Sequence, residues 1–151
     1  MVRNTELTDE LLSMTKMKNV KVLNPVTGTL IFGKVPANLS GIPSGFIYLR
    51  LGYVANGYLR QGAFGARHVW EKHRKDLNIN APENLPQILA DILVVGVDIL
   101  YEATNKPAVL NTHKGLVSLQ LKKDSTGSDE YSIVSAYNSR RSRGTVFAKL
   151  E

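Results

Sequence analysis

Apolar and polar positions along the chain alternate between helical and strand spacing, and the order of the two periods is the first structural signal. In "TELTDELLSMTKM", Leu7, Leu11 and Leu12 form an apolar stripe, which predicts a short N-terminal helix with Thr5 as N-cap and Thr8 as the alternative. "VKVLNPVTGTLIFGKV" reads as two short strands around a turn from Asn24-Pro25 to Gly28, and "GFIYLRLGYV" as a further strand. Helical spacing returns over Ala66 to Leu77, after the glycine-rich entry "GYLRQGAFG", and again in "APENLPQILADIL". In the latter, Pro82 stands near the start, and Leu85, Ile88, Leu89 and Ile92 make the buried stripe.

From there on the pattern is strand after strand: "DILYEAT", "AVLN", "GLVSLQLK", "YSIVSAYN" and "GTVFAKL". The first pair joins at "NKP", and the polar loop "KDSTGSDE" separates the next pair. No repeat or shift in composition divides the chain, so residues 1–151 are expected to form one domain. Helices followed by strands predict an α+β fold, with N-terminal helices packed on an antiparallel sheet of four to five strands. A parallel nucleotide-binding sheet does not fit this order.

Composition narrows the chemistry. The chain has no cysteine, which excludes disulfides, thiolate metal sites and a cysteine nucleophile, and is compatible with a reducing cytoplasm. The longest apolar run, "ILADILVVGVDIL", carries Asp91 and Asp98 and is too short for a membrane span; the acidic N-terminus does not read as a signal peptide. No phosphate-cradling glycine motif is present, and no pair among the 13 acidic residues stands out as a glycosidase site. The net charge of +6 points toward a polyanionic partner, nucleic acid above all.

Two of the three histidines lie in "GARHVWEKH". A zinc pair on one helix wants i, i+4 spacing. His68 and His73 are five apart, which places them about 140° apart on the wheel, so neither metal nor cofactor is expected. Ala66, Val69, Trp70 and Leu77 form the apolar stripe, and His73 falls within it. His73 is therefore either a packed histidine or a second catalytic group, and His68, on another face, is the stronger candidate for proton transfer. Arg60, Arg67, Lys72, Arg74 and Lys75 surround the pair, against Glu71 and Asp76, so the neighbourhood suits a phosphate.

A second basic cluster, Arg140, Arg141 and Arg143 in "NSRRSRG", follows the strand "YSIVSAY". Strand alternation puts Tyr131, Ile133, Ser135 and Tyr137 on one face of that strand, and Val134 and Ala136 on the other. If the two basic regions meet, they supply what metal-free RNA cleavage needs: an acid, a base and cationic groups around the phosphate. His68 and His73 are the acid–base candidates, and Ser135 and Tyr137 the groups that orient or donate. Arg67, Lys72, Arg140, Arg141 and Arg143 are the candidates for binding substrate.

"GARHVWEKH", the apolar helix after it and the terminal "YSIVSAYNSRR" resemble phage-associated nuclease domains of the barnase, EndoU, colicin and RelE superfamily, over roughly Gly45 to Leu150. The N-terminal helix and hairpin, residues 1–44, lie outside the resemblance. It implies a small metal-independent ribonuclease, acting on RNA such as transfer RNA, with His68 and His73 matching the helical histidine element. Ser135 and Tyr137 match the hydroxyl-bearing strand, where many relatives have threonine. It also implies a toxin or phage effector in a bacterial cytoplasm or a phage setting, with a neutralising immunity or host protein as a further partner. A catalytically inactive phage protein that binds nucleic acid or a host protein is the alternative.

Overall fold

The computed structural model describes residues 1–54, 62–103 and 106–151. Arg60 and the start of the "GYLRQGAFG" entry lie outside the described residues, as do Thr104 and Asn105 at the "NKP" junction. The described residues form three α-helices, α1 (Asp9–Ser13), α2 (Gly65–His73) and α3 (Leu85–Ile92), with short 3-10 turns before α1 and α3. They also form eight strands: β1 (Lys21–Val22), β2 (Ile31–Val35), β3 (Gly45–Arg50), β4 (Asp98–Ala103), β5 (Lys106–Asn111), β6 (Gly115–Lys123), β7 (Asp129–Tyr137) and β8 (Thr145–Lys149).

These strands make one mixed sheet, ordered β1-β3-β7-β6-β5-β4-β8, with β2 also paired to β3. The expected α+β layout of helices on an antiparallel sheet of four to five strands is therefore overturned: the protein is mostly sheet, and its helices are few and short. Two pairings cause the difference. The region read as an N-terminal hairpin joins the sheet, but β1 and β2 do not pair with each other. They lie in line along β3, β1 opposite Leu49 and Arg50 and β2 opposite Gly45 to Tyr48. In turn, β3 pairs in parallel with β7 through Ile47↔Tyr131 and Tyr48↔Ser132, which extends the C-terminal meander into a larger sheet.

The sheet also rolls toward closure. Just past β8, the backbone N–H of Glu151 donates to Lys34 O (3.0 Å), and that of Lys34 donates to Glu151 O (2.8 Å). This reciprocal bridge ties the strand at one edge to β2 at the other, satisfying backbone groups that an open edge would leave exposed. Inside lie Ile47, Leu49, Ile99, Val109, Val117, Leu119 and Ile133, each 0–1% exposed. Each such side chain contributes about 1.5–3 kcal/mol on burial. Tyr131 is buried among them. Its hydroxyl donates to Pro43 O (2.6 Å), and burial pushes its pKa up to about 12.

At the N-terminus Thr8, not Thr5, caps α1; its hydroxyl accepts from Leu11 N (3.1 Å). Two glycines fix how α2 leaves β3. Gly52 (φ +80°) and Gly65 (φ +81°) sit against each other, and a Cβ on Gly52 would lie 1.8 Å from Phe64 O. Only glycine fits this left-handed close approach, and it seats the first turn of α2 on the end of β3.

Candidate active site

Helix α2 has two differently built ends. At its start, Ala66 and Val69 enter the core, and Arg67 is wholly buried. The Arg67 guanidinium donates to the carbonyls of Leu11 (3.2 and 3.1 Å), Lys16 (2.6 Å) and Gly52 (3.1 Å). Burial pushes its pKa below the usual arginine value. This arginine joins α1, the following loop and the end of β3, so it is not available to substrate. Lys72, by contrast, is exposed.

At the other end the helical turns continue past His73. Leu77 N donates to His73 O (3.0 Å), Asn78 N to Lys75 O (3.2 Å) and Ile79 N to Arg74 O (2.8 Å). Asn78, at φ 56°, supplies the left-handed residue that closes a Schellman motif. Asp76 is thereby held one turn beyond His73, with Oδ1 3.5 Å from His73 Nδ1 and Oδ2 accepting from Asn138 N (3.3 Å). A carboxylate facing Nδ1 orients the imidazole and turns Nε2 away from it.

The two histidines are neighbours despite their separation on the wheel. Their ring centroids are 5.7 Å apart, edge to face at 76°. The wheel locates Cα–Cβ directions, and the rings reach toward each other across the intervening surface. The Tyr137 ring is 4.6 Å from that of His73 at 71°, so His68, His73 and Tyr137 form one contiguous series of rings. The His73 side chain is 18% exposed, packed on one side and open on the other.

A bulge in β7 decides which side chains accompany Tyr137. Ser118 pairs with Ser135 but Leu119 pairs with Ile133, so Val134 is the extra residue. Beyond it the alternation shifts: Ala136 joins Ile133 in the core, whereas Ser135 and Tyr137 share the opposite face with Ser118 and Leu116. The expected common face for Tyr131, Ile133, Ser135 and Tyr137 is thus split. Ser135 is 0% exposed, and among the described residues its Oγ has no hydrogen-bond partner.

The arginines after β7 also divide. Arg140 donates to His113 O (2.6 Å) and Asn138 Oδ1 (3.4 Å), which holds it beside a cleft of about 300 Å³ that Asp76, Asp91 and His113 also line. Arg141 and Arg143 are exposed farther along the loop. There the Glu102 carboxylate accepts from the Ser142 hydroxyl (2.7 Å) and Arg143 N (3.1 Å). The Ser142 hydrogen bond is the chief cause that holds the Glu102 carboxyl below its ordinary range. The structure therefore brings the rings of His68, His73 and Tyr137 together, with Arg140 linked to them through Asn138 and Asp76. Arg67 is buried, and Ser135, on the face of Tyr137, is buried as well.

Charge counting missed Asp76 and Asn138 as parts of this site. Asp76 had a legible signal, three residues after His73 on the same helical path; Asn138 had none. Among the described residues, no group of three or more metal-ligating side chains could hold an ion. No helix of the described residues is long and apolar enough to cross a membrane. Comparison with protein-family models, curated proteins and solved structures finds no match for this chain.

Proposed function

We propose that this protein is a metal-independent endoribonuclease with its reacting groups at the junction of α2 and β7. The observation that carries this reading is the contiguous series His68–His73–Tyr137, with Arg140 held beside the same end of α2. In such a reaction the RNA 2′-hydroxyl loses its proton to a base as its oxygen attacks the adjacent phosphorus. The bond to the 5′-oxygen breaks, that oxygen takes a proton from an acid, and a 2′,3′-cyclic phosphate remains. Two imidazoles can supply base and acid, the Tyr137 phenol can hydrogen-bond a phosphate oxygen, and Arg140 can offset its charge. Asp76 is the positioning residue for His73. The likeness of "GARHVWEKH" and "YSIVSAYNSRR" to phage-associated nucleases supports the same chemistry.

The test is incubation of transfer and messenger RNA with the protein in EDTA. Cleavage is expected, and His68→Ala should lower its rate by about 10²-fold, the scale of a lost general acid or base. No cleavage of either RNA by wild-type protein at high concentration sinks the proposal. The second reading, a non-catalytic phage protein that binds nucleic acid or a host protein, draws on the burial of Arg67 and Ser135 and on Asp76 and Asp91 beside Arg140. Binding without turnover, indifferent to His68→Ala, is its signature.

A further inference from the structure

Away from the histidines, one face of the sheet carries lysines seated on aromatic rings. Lys21 Nζ lies 3.8 Å from the Tyr48 ring centroid, Lys122 Nζ 4.9 Å from that of Phe64, and Lys18 Nζ 6.0 Å from that of Tyr53. Pairing places them together. Lys21 is opposite Arg50 on β1 and β3, Tyr48 is two residues before Arg50, and Lys122 is opposite Glu130 on β6 and β7. Glu130 ties the strands, accepting from Arg50 Nη2 (2.7 Å) and lying 3.6 Å from Lys21 Nζ. Tyr53 and Phe64 are joined by reciprocal backbone hydrogen bonds of 2.9 and 3.1 Å. Phe64 is the N-cap of α2, one helical turn before His68.

We propose that this face is a binding track for single-stranded RNA, leading strand segments that flank the scissile phosphate to the α2 site. The proposal deepens the ribonuclease reading and rests on it for the identity of the strand. The alternation of cations and rings is what a single strand requires, since lysines meet successive phosphates and rings stack on unpaired bases of any sequence. The rings are part-exposed, and Lys18 is exposed. Four cations, Lys18, Lys21, Arg50 and Lys122, outnumber the carboxylates acting on them, Glu130 and Asp124. Arg50, 8% exposed and paired with Glu130, adds positive charge beneath the track, and among the described residues its buried Nη1 has no protein partner. Duplex RNA hides its base faces and gains nothing from the rings.

The experiment measures binding of fluorescein-labelled oligouridine, a blunt RNA duplex and heparin, in a His68→Ala background that slows turnover. Oligouridine is expected to bind more tightly than duplex. Lys18→Gln, Lys21→Gln and Lys122→Gln together should weaken oligouridine binding by about tenfold or more. They should also reduce the slope of log affinity against log salt by roughly 2, three contacts at about 0.7 each. Phe64→Leu and Tyr48→Leu should weaken oligouridine binding but leave heparin binding unchanged. Unchanged oligouridine affinity in the triple-lysine protein, at an unchanged unfolding midpoint, overturns the track. So does tighter binding of duplex, or equal losses for heparin and oligouridine in the ring variants. If the triple variant unfolds, Lys18→Gln alone should still lower the slope by about 0.7, and no change overturns the proposal. Cleavage that persists without track binding sinks the track alone; track binding without cleavage in EDTA sinks the ribonuclease reading alone.

Discussion

The two ends of α2 carry similar kinds of residue and do opposite work. At the start, a cationic side chain is wholly buried and spends its donors on backbone carbonyls from three segments. At the finish, His73 stays part-exposed, held by one carboxylate contact and ring edges, with Arg140 at the surface nearby. The first end is scaffold, and the second is where we propose the chemistry. A basic residue beside a histidine is therefore not evidence of a phosphate site until its donors are accounted for. A buried guanidinium satisfied by carbonyls has no capacity left for substrate.

Arg67→Ala tests the scaffold end and should have the largest effect of all. It strips the carbonyls of Leu11, Lys16 and Gly52 of their side-chain donor and leaves a void beside the core. Unsatisfied buried polar groups cost about 1–3 kcal/mol each, so a loss of roughly 3 kcal/mol or more is expected in urea unfolding. Arg67→Lys should recover only part of it, because one ammonium cannot reproduce the planar fork. Wild-type stability in Arg67→Ala would erase the distinction between the two ends.

Asp76→Asn probes the other end, and its expected signature is kinetic. The amide keeps the size of the side chain but loses the carboxylate charge facing His73 Nδ1. A fall in RNA cleavage of about tenfold is expected, with a changed pH–rate profile and an unfolding midpoint close to wild type. A profile that keeps its shape while the rate falls would show Asp76 to be merely a clamp on Asn138.

The sequence disclosed local periods and was silent on long-range pairing. The strand patterns from Asp98 onward, α2 and α3 were legible because apolar spacing reports burial directly. The parallel contact of β3 with β7 was not, since strand pairing leaves no mark in either strand's own alternation, and that omission misplaced the fold class. The β7 bulge was equally hidden: "YSIVSAY" alternates as a regular strand would, and one extra residue reverses the face of Ser135 and Tyr137. At the site, composition named His68, His73, Tyr137 and Arg140, but counted Arg67 as one more surface cation. Its burial comes from carbonyls remote in sequence.

The smallest expected effect separates Arg140 from Arg143 within their shared loop. Glu102 anchors the Arg143 end through the Ser142 hydroxyl and Arg143 N, whereas Arg140 is held by His113 O and Asn138. Glu102→Gln should therefore change cleavage by no more than about twofold, and Arg140→Ala by clearly more. The Glu102 carboxyl is depressed in the folded protein, so its contribution is fully present above its ordinary value of 4.5 and is lost as pH falls through the depressed value. At neutral pH, Glu102→Gln should cost about a few tenths of a kcal/mol, the scale of exposed, screened contacts. The stabilities of wild type and variant should converge as acid protonates the wild-type carboxyl. A larger effect on cleavage than that of Arg140→Ala would move the phosphate-binding end of the loop from Arg140 to Arg143.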